Sequence, residues 1–327
     1  MAGQNGKLPH PNAQLVLYYY PLSYYSQKVR MALLEKGIPH ALEFIDINSG
    51  ENYEAWFVKL NPECEVPVLR DGTRVVADSA RIIDYLEENY SDAPYAALSP
   101  PKSSIEYHKF KYLREAIDAV PVEYITYGTL KQPALLEKTK VPNFVKKGLG
   151  DRFFQRQKFI NTQMEKHPEY SAIFSKKLSR VLDSDNNVGN TAMVNAKLNE
   201  LESLLDRIEE HLRLNSNSAD RKNWWLCSEK FTTADISLSI LLSRCYLLGL
   251  APRFWSISRR PYLAMYYQRI NERPSFQKVA ITHITTSDLL QLGGSTILYA
   301  YGLQIMGVAT VLGALAIGGY VLMKRRR

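Results

Sequence analysis

Two hydrophobic periods alternate through residues 14–92, and that alternation limits the fold more than any other feature of the chain. Leu15-Val16-Leu17-Tyr18-Tyr19-Tyr20 is rich in strand formers and ends at Pro21; Gln27 to Lys36 then reads as a helix, with Val29, Leu33 and Leu34 on one side and Gly37 as its stop. Ala41 to Ile47 predicts a second strand and Asn52 to Leu60 a second helix. Val66 to Leu69 and Arg74 to Val76 predict a hairpin that turns at Asp71-Gly72. A third helix over Asp78 to Tyr90 carries Ile82, Ile83, Leu86 and Tyr90 at helical spacing. The order is βαβαββα.

Thioredoxin-like domains have that order, and three short motifs narrow the choice. Ser23-Tyr24-Tyr25-Ser26-Gln27-Lys28-Val29-Arg30, Asn61-Pro62-Glu63-Cys64-Glu65-Val66-Pro67-Val68-Leu69 and Asp78-Ser79 stand in an order and spacing that resembles the glutathione transferases. The resemblance implies an α+β protein: a thioredoxin-like N-terminal domain over 14–92 and an all-helical transferase C-terminal domain over 102–284. It also implies glutathione as ligand or substrate, and no metal. In the family the Val-Pro bond is cis, which would turn the Val66 backbone toward the cysteinyl moiety of glutathione, with Pro67 as the hallmark. Asp78 and Ser79 open the third helix, where free N–H groups and the positive dipole end would hold the γ-glutamyl carboxylate. The same two residues also read as a plain helix cap, and both readings can hold.

Aligning Lys28-Val29-Arg30 on the basic segment of zeta and omega transferases puts Ser23 where those classes carry the residue facing the thiol, so Ser23 is the candidate catalytic group. A hydroxyl there would lower the thiol pKa by donating to the thiolate. Tyr24 and Tyr25 are bulkier than the family's usual residues and could fill the pocket instead; Tyr18 to Tyr20 offer alternative hydroxyls, or simply strand packing. Cys64 takes a slot where transferases usually have a non-thiol residue, which predicts a partly exposed thiol at the ligand rim. Cys64, Cys227 and Cys245 are unclustered, which argues against a disulfide framework or a zinc site and for a reducing compartment.

After a Pro-rich joint at 93–101 the chain reads as helical over Ile105 to Leu130, over Thr191 to Leu214 and again from Phe231. Phe231-Thr232-Thr233-Ala234-Asp235-Ile236 is a capping box with a staple, Thr232 capping and Asp235 answering it. Residues 131–190 form an insertion where ordinary transferases have a short connection, expected to hold a helix from about Asp151 to Lys166 and a second one after it. The net charge of +8 is concentrated there and at the chain end: 131–190 holds 12 Lys and Arg against 6 Asp and Glu, and Lys324-Arg325-Arg326-Arg327 closes the chain. The rest is slightly acidic, and no nucleic-acid motif accompanies the charge. The insertion reads either as a solvated basic face or as a surface for protein partners or anionic lipid.

From Leu289 to Met323 only Tyr can ionise, and residues 302–323 are long enough to cross a bilayer as a helix. Ahead of a basic tail this span reads as a transmembrane tail anchor, with the large N-terminal part facing the cytosol; residues 1–12 have neither the apolar core of a secretory signal nor an Arg-rich transit helix. An insertion after the fourth helix combined with a tail anchor resembles the ganglioside-induced differentiation-associated protein 1 family. That resemblance implies a membrane-tethered adaptor or sensor on the mitochondrial outer membrane, influencing mitochondrial network dynamics (fission) and glutathione/redox homeostasis, and able to form a homodimer. The alternative is an active transferase conjugating hydrophobic electrophiles.

Overall fold

The computed structural model describes residues 15–136, 139–141, 143–215 and 224–281. β1 (Leu15–Tyr19) runs into α1 (Tyr24–Lys36), followed by β2 (Ala41–Phe44), α2 (Ala55–Leu60), β3 (Val68–Asp71), β4 (Arg74–Ala77) and α3 (Ser79–Asn89). The strands order as β2-β1-β3-β4, with β2 parallel to β1 and the other two pairs antiparallel. β1 is central because its side chains serve two layers. Leu15 and Leu17 pack with Val29, Leu33 and Ile82 on the α1/α3 face, while Val16 and Tyr18 pack with Ile45 and Phe57 on the α2 face.

The expected order is present, with shifted ends. α1 starts earlier than Gln27, because Ser23 caps it and accepts from the Ser26 N–H at 3.2 Å. Gly37 closes it at φ +70, where the N–H groups of Gly37 and Ile38 return to Leu34 and Leu33. The second helix is split. Glu51–Tyr53 forms a single 3₁₀ turn, Glu54 is extended, and α2 follows.

In the helical part, α4 (Ile105–Asp118) stops short of Leu130: Pro121, which can offer no N–H, follows it, and the chain continues as a wide turn over Tyr124–Gly128. α7 (Thr191–Asn215), α8 (Thr233–Leu247), α9 (Ala251–Phe254), α10 (Pro261–Ile270) and α11 (Pro274–Val279) complete this part. α8 is buried along almost its whole length and packs against α1 and α4, so it joins the two halves. Its capping box is present, with Asp235 fully buried.

The insertion forms α5 (Asn143–Lys166) and α6 (Ser171–Gly189), joined by a turn at Pro168–Tyr170 and packed on each other. It has a core after all, shared with the first domain. Ile160, Phe174 and Val181 are buried together with Tyr53, Val58 and Cys64. Burying an Ile or Phe side chain contributes about 1.5–3 kcal/mol, against about 0.2–1 for an exposed ion pair, so apolar contact is what seats the insertion. Ions then orient it: α6 sends Lys177 to Glu65, and Lys176 and Arg180 to Glu63. Residues 302–323, expected to cross a membrane, lie outside the described residues, among which no helix is long and apolar enough to do so.

Candidate functional site

The two halves enclose a cleft of about 1230 Å³, and every residue picked from the sequence as a site lies on it: Ser23, Val66, Pro67, Asp78 and Ser79. β1 and α1 deliver Ser23. The loop before β3 delivers Val66 and Pro67, whose peptide bond is cis. That loop is tied down by two asparagines, since Asn61 Nδ2 donates to the Glu65 carbonyl and Asn52 Nδ2 to the Cys64 carbonyl, each at 2.8 Å. Asn52 Oδ1 is buried with no partner.

Asp78 is the N-cap of α3, its carboxylate accepting from the Ala80 and Arg81 N–H groups at 3.0 Å. It holds φ at +75, a backbone region that costs a non-glycine residue on the order of 1–3 kcal/mol. Strain of that kind persists where the surroundings impose it, here at the entrance of a helix that faces the cleft. Ser79 behind it is buried.

Ser23 Oγ has two roles that do not compete. It accepts the Ser26 N–H, and its own O–H remains able to donate. A thiolate beside it would also sit at the positive end of the 13-residue α1. Tyr24 lines the cleft with almost no exposed surface, and burial raises its phenol well above the usual range. Tyr25 stands 46% exposed on the cleft, edge-on to Tyr24 at 5.2 Å, and desolvation in the cleft, helped by the Glu123, Glu65 and Asp78 carboxylates, pushes its pKa to about 12. Of the three tyrosines in β1 and just after it, only Tyr20 reaches the cleft, and its hydroxyl accepts from Asn48 at 2.7 Å. Tyr18 packs against Trp56 on the α2 face. The strand tyrosines are packing groups.

Cys64 corrects the expectation of a partly exposed thiol. It is 1% exposed at φ +55, covered by the insertion, and burial pushes its pKa to about 11. At neutral pH it is a neutral, shielded thiol.

Several cleft residues went unread in the sequence. Arg156 and Lys177 come from the insertion, and Arg244 comes from α8. Asp118 lines the cleft and takes the buried Lys28 ammonium at 2.5 Å, pinning α4 to α1; burial pulls that ammonium below its ordinary range, against the pull of Asp118. Lys28 stood in a recognised motif, but its partner is 90 residues away and carries no local signal.

A sheet domain whose cis-proline loop and third-helix entrance face a helical domain across one cleft defines the glutathione-transferase class. The family models agree: that of the glutathione S-transferase N-terminal domain matches residues 17–94 and that of the C-terminal domain 192–269. The chain is 30% identical to human ganglioside-induced differentiation-associated protein 1-like 1 over 82% of its own length and 74% of that protein. It therefore belongs to the ganglioside-induced differentiation-associated protein 1 family of transferase-like proteins. It is also 28% identical to the glutathione S-transferase TCHQD of Arabidopsis thaliana, over 80% of this chain and 88% of that one. Among solved structures, the β-etherase LigF from Sphingobium sp. strain SYK-6 shares the fold at a TM-score of 0.59 and 20% identity, covering 81% of this chain and 98% of LigF.

Proposed function

We propose that this protein is a glutathione-binding adaptor or sensor tethered to the mitochondrial outer membrane through residues 302–323, influencing mitochondrial fission and glutathione/redox homeostasis from the cytosolic side. The observation that carries the glutathione part is the convergence of Ser23, Val66, Pro67, Asp78 and Ser79 on one cleft. The chemistry matches the ligand end by end. The loop backbone at Val66, on the cleft wall, suits the cysteinyl amide groups, and the α3 entrance suits the γ-glutamyl carboxylate.

The adaptor part is supported by the insertion, which packs its core on Tyr53, Val58 and Cys64 of the first domain and still presents cations outward. Lys176 and Arg180 keep side-chain exposures of 61% and 52% while paired to Glu63. Such a surface suits an acidic protein partner or anionic lipid, and a second copy of the chain is a further candidate partner. The position of Ser23 at the α1 N-terminus favours a second reading, a transferase that conjugates hydrophobic electrophiles, and turnover of glutathione with an aryl chloride separates the two.

Two measurements test the proposal. The full chain should be retained on immobilised glutathione and released by free glutathione; passage straight through the column sinks the binding half. A fluorescent protein fused to residues 289–327 should mark mitochondria while residues 1–288 stay diffuse. A soluble fusion would remove the tether, and decoration of another organelle would remove only the mitochondrial address.

A further inference from the structure

Glutathione has a third polar end, the carboxylate of its glycine, and the motif residues answer only the other two. β3 and β4 pair Val68 with Ala77, which sets the α3 entrance beside Pro67. A ligand chain that leaves its γ-glutamyl end there and pairs with Val66 runs on along the loop, toward Cys64 and Asn52. Two further residues of extended chain reach roughly 7 Å. On that side the first domain no longer forms the wall alone. Asn52, Tyr53, Cys64 and Glu65 line it together with Arg156 of α5 and Lys177 of α6.

Two side chains on this stretch of wall suit a peptide end that carries a carboxylate. Asn52 is 4% exposed; its Nδ2 donates to the Cys64 carbonyl, while its Oδ1 has no partner among the described residues. A buried amide oxygen left unpaired is costly, and a peptide N–H is a group that relieves it. Lys177 is the second. Its side chain is 9% exposed, and among the described residues it donates one hydrogen bond, to Glu65 Oε1 at 2.5 Å. An ammonium has three N–H donors, so a second carboxylate can join the first. Glu65 is 63% exposed and keeps its hydration, Glu63 takes Lys176 and Arg180, and Asp185 takes Arg156. Among these groups four cations meet three carboxylates, which suits one further negative charge.

We propose that the insertion completes the ligand site: Lys177 holds the glycyl carboxylate of glutathione and Asn52 Oδ1 accepts the glycyl N–H, so that filling the cleft and seating the insertion stabilise each other. This rests on the glutathione reading and adds how the ligand is coupled to the cationic face of α6. Ile160, Phe174 and Val181 seat the insertion on the first domain without any ligand. A carboxylate on Lys177 is a further contact, and it exists only while α6 is seated. By linkage, the free energy that the ligand gains from the seated insertion is the free energy that the insertion gains from the ligand. Lys176 and Arg180 flank Lys177 on α6 and bind Glu63 of the same loop, so a partner that meets those exposed cations senses whether α6 is held.

The test is a calorimetric titration of the full chain in detergent with glutathione and with its glycyl monoethyl ester, which loses that carboxylate charge and keeps the γ-glutamyl one. The acid should bind about tenfold more tightly than the ester, the scale of one hydrogen bond to a charged group. Lys177→Gln should bring the two to equal affinity and Lys177→Arg should restore part of the preference. Glu65→Gln, which removes the bridge and leaves the ammonium, should keep it. Chymotryptic cleavage within 143–189 should slow several-fold when glutathione saturates the wild type, and in Lys177→Gln glutathione should protect no better than the ester. Equal affinity for acid and ester in the wild type overturns the inference, as does a preference that survives Lys177→Gln. A preference lost equally in Glu65→Gln and Lys177→Gln also overturns it, because Lys177 would then only seat α6. Cleavage indifferent to saturating glutathione overturns the coupling. If Lys177→Gln does not fold, the wild-type comparison and Lys177→Arg still decide. Equal binding of both compounds defeats this inference alone, whereas no binding of either defeats the glutathione reading with it.

Discussion

Asp235 gathers partners from well beyond its own helix cap. It is fully buried and accepts from the Thr232 N–H and hydroxyl, from the Leu226 N–H at 2.7 Å and from the Tyr266 hydroxyl at 2.8 Å. The sequence shows the Thr232/Asp235 pair and suggests a cap worth about 1 kcal/mol. It cannot show Leu226 or Tyr266, which are 9 and 31 residues away. Stranding buried donors costs about 1–3 kcal/mol each without full additivity, so Asp235→Ala should lose at least about 3 kcal/mol in a denaturant melt. A loss under about 1 kcal/mol would mean that the network does not carry the helix. The three cysteines make a second residue-scale case: all are buried, Cys64 with a pKa pushed to about 11 and Cys245 to about 12 by burial. At pH 8 a thiol reagent should therefore label none in the native chain and all of them in denaturant. Stoichiometric labelling of native Cys64 would restore the exposed thiol that its place in the motif suggests.

The elements whose partners are local were the readable ones. β1, the β3/β4 hairpin and α3 follow from alternation and turn chemistry over a few residues, and the positions that define the cleft are carried by the same short motifs. The insertion was readable in length and charge but not in placement, because its counter-charges Glu63 and Glu65 stand more than a hundred residues earlier. Nor does any pattern reveal that Gly50 supports it. Gly50 sits at φ +84, and a Cβ there would meet the Phe159 ring of α5 at 2.6 Å. Gly50→Ala should thus cost about 1–3 kcal/mol, part from the backbone and part from overpacking, and should speed proteolysis within 143–189 first. If the cost appears with no change in that segment's cleavage, the insertion is not held through this contact.

Taken whole, the molecule is two domains held around a cleft by buried polar ties. Lys28 reaches Asp118, Arg273 and Ser275 reach Glu35, and Arg244 reaches the Leu22 carbonyl. Each joins a residue of the first 36 to one beyond 117, so the cleft's width is set by contacts that no local sequence window contains. Its chemistry was better signalled than its shape: Ser23, Val66, Pro67, Asp78 and Ser79 could be read, whereas Arg156, Lys177 and Arg244 come from segments with no binding motif. The family membership follows from the fold and the relatives; glutathione binding is the claim on which the functional account stands. The most direct measurement is calorimetry of glutathione on the full chain in detergent, for wild type and Ser79→Ala. The wild type should bind saturably at millimolar concentrations or below, and Ser79→Ala should lose about tenfold, as expected for one hydrogen bond to a charged carboxylate. No heat of binding from the wild type at millimolar glutathione would contradict it.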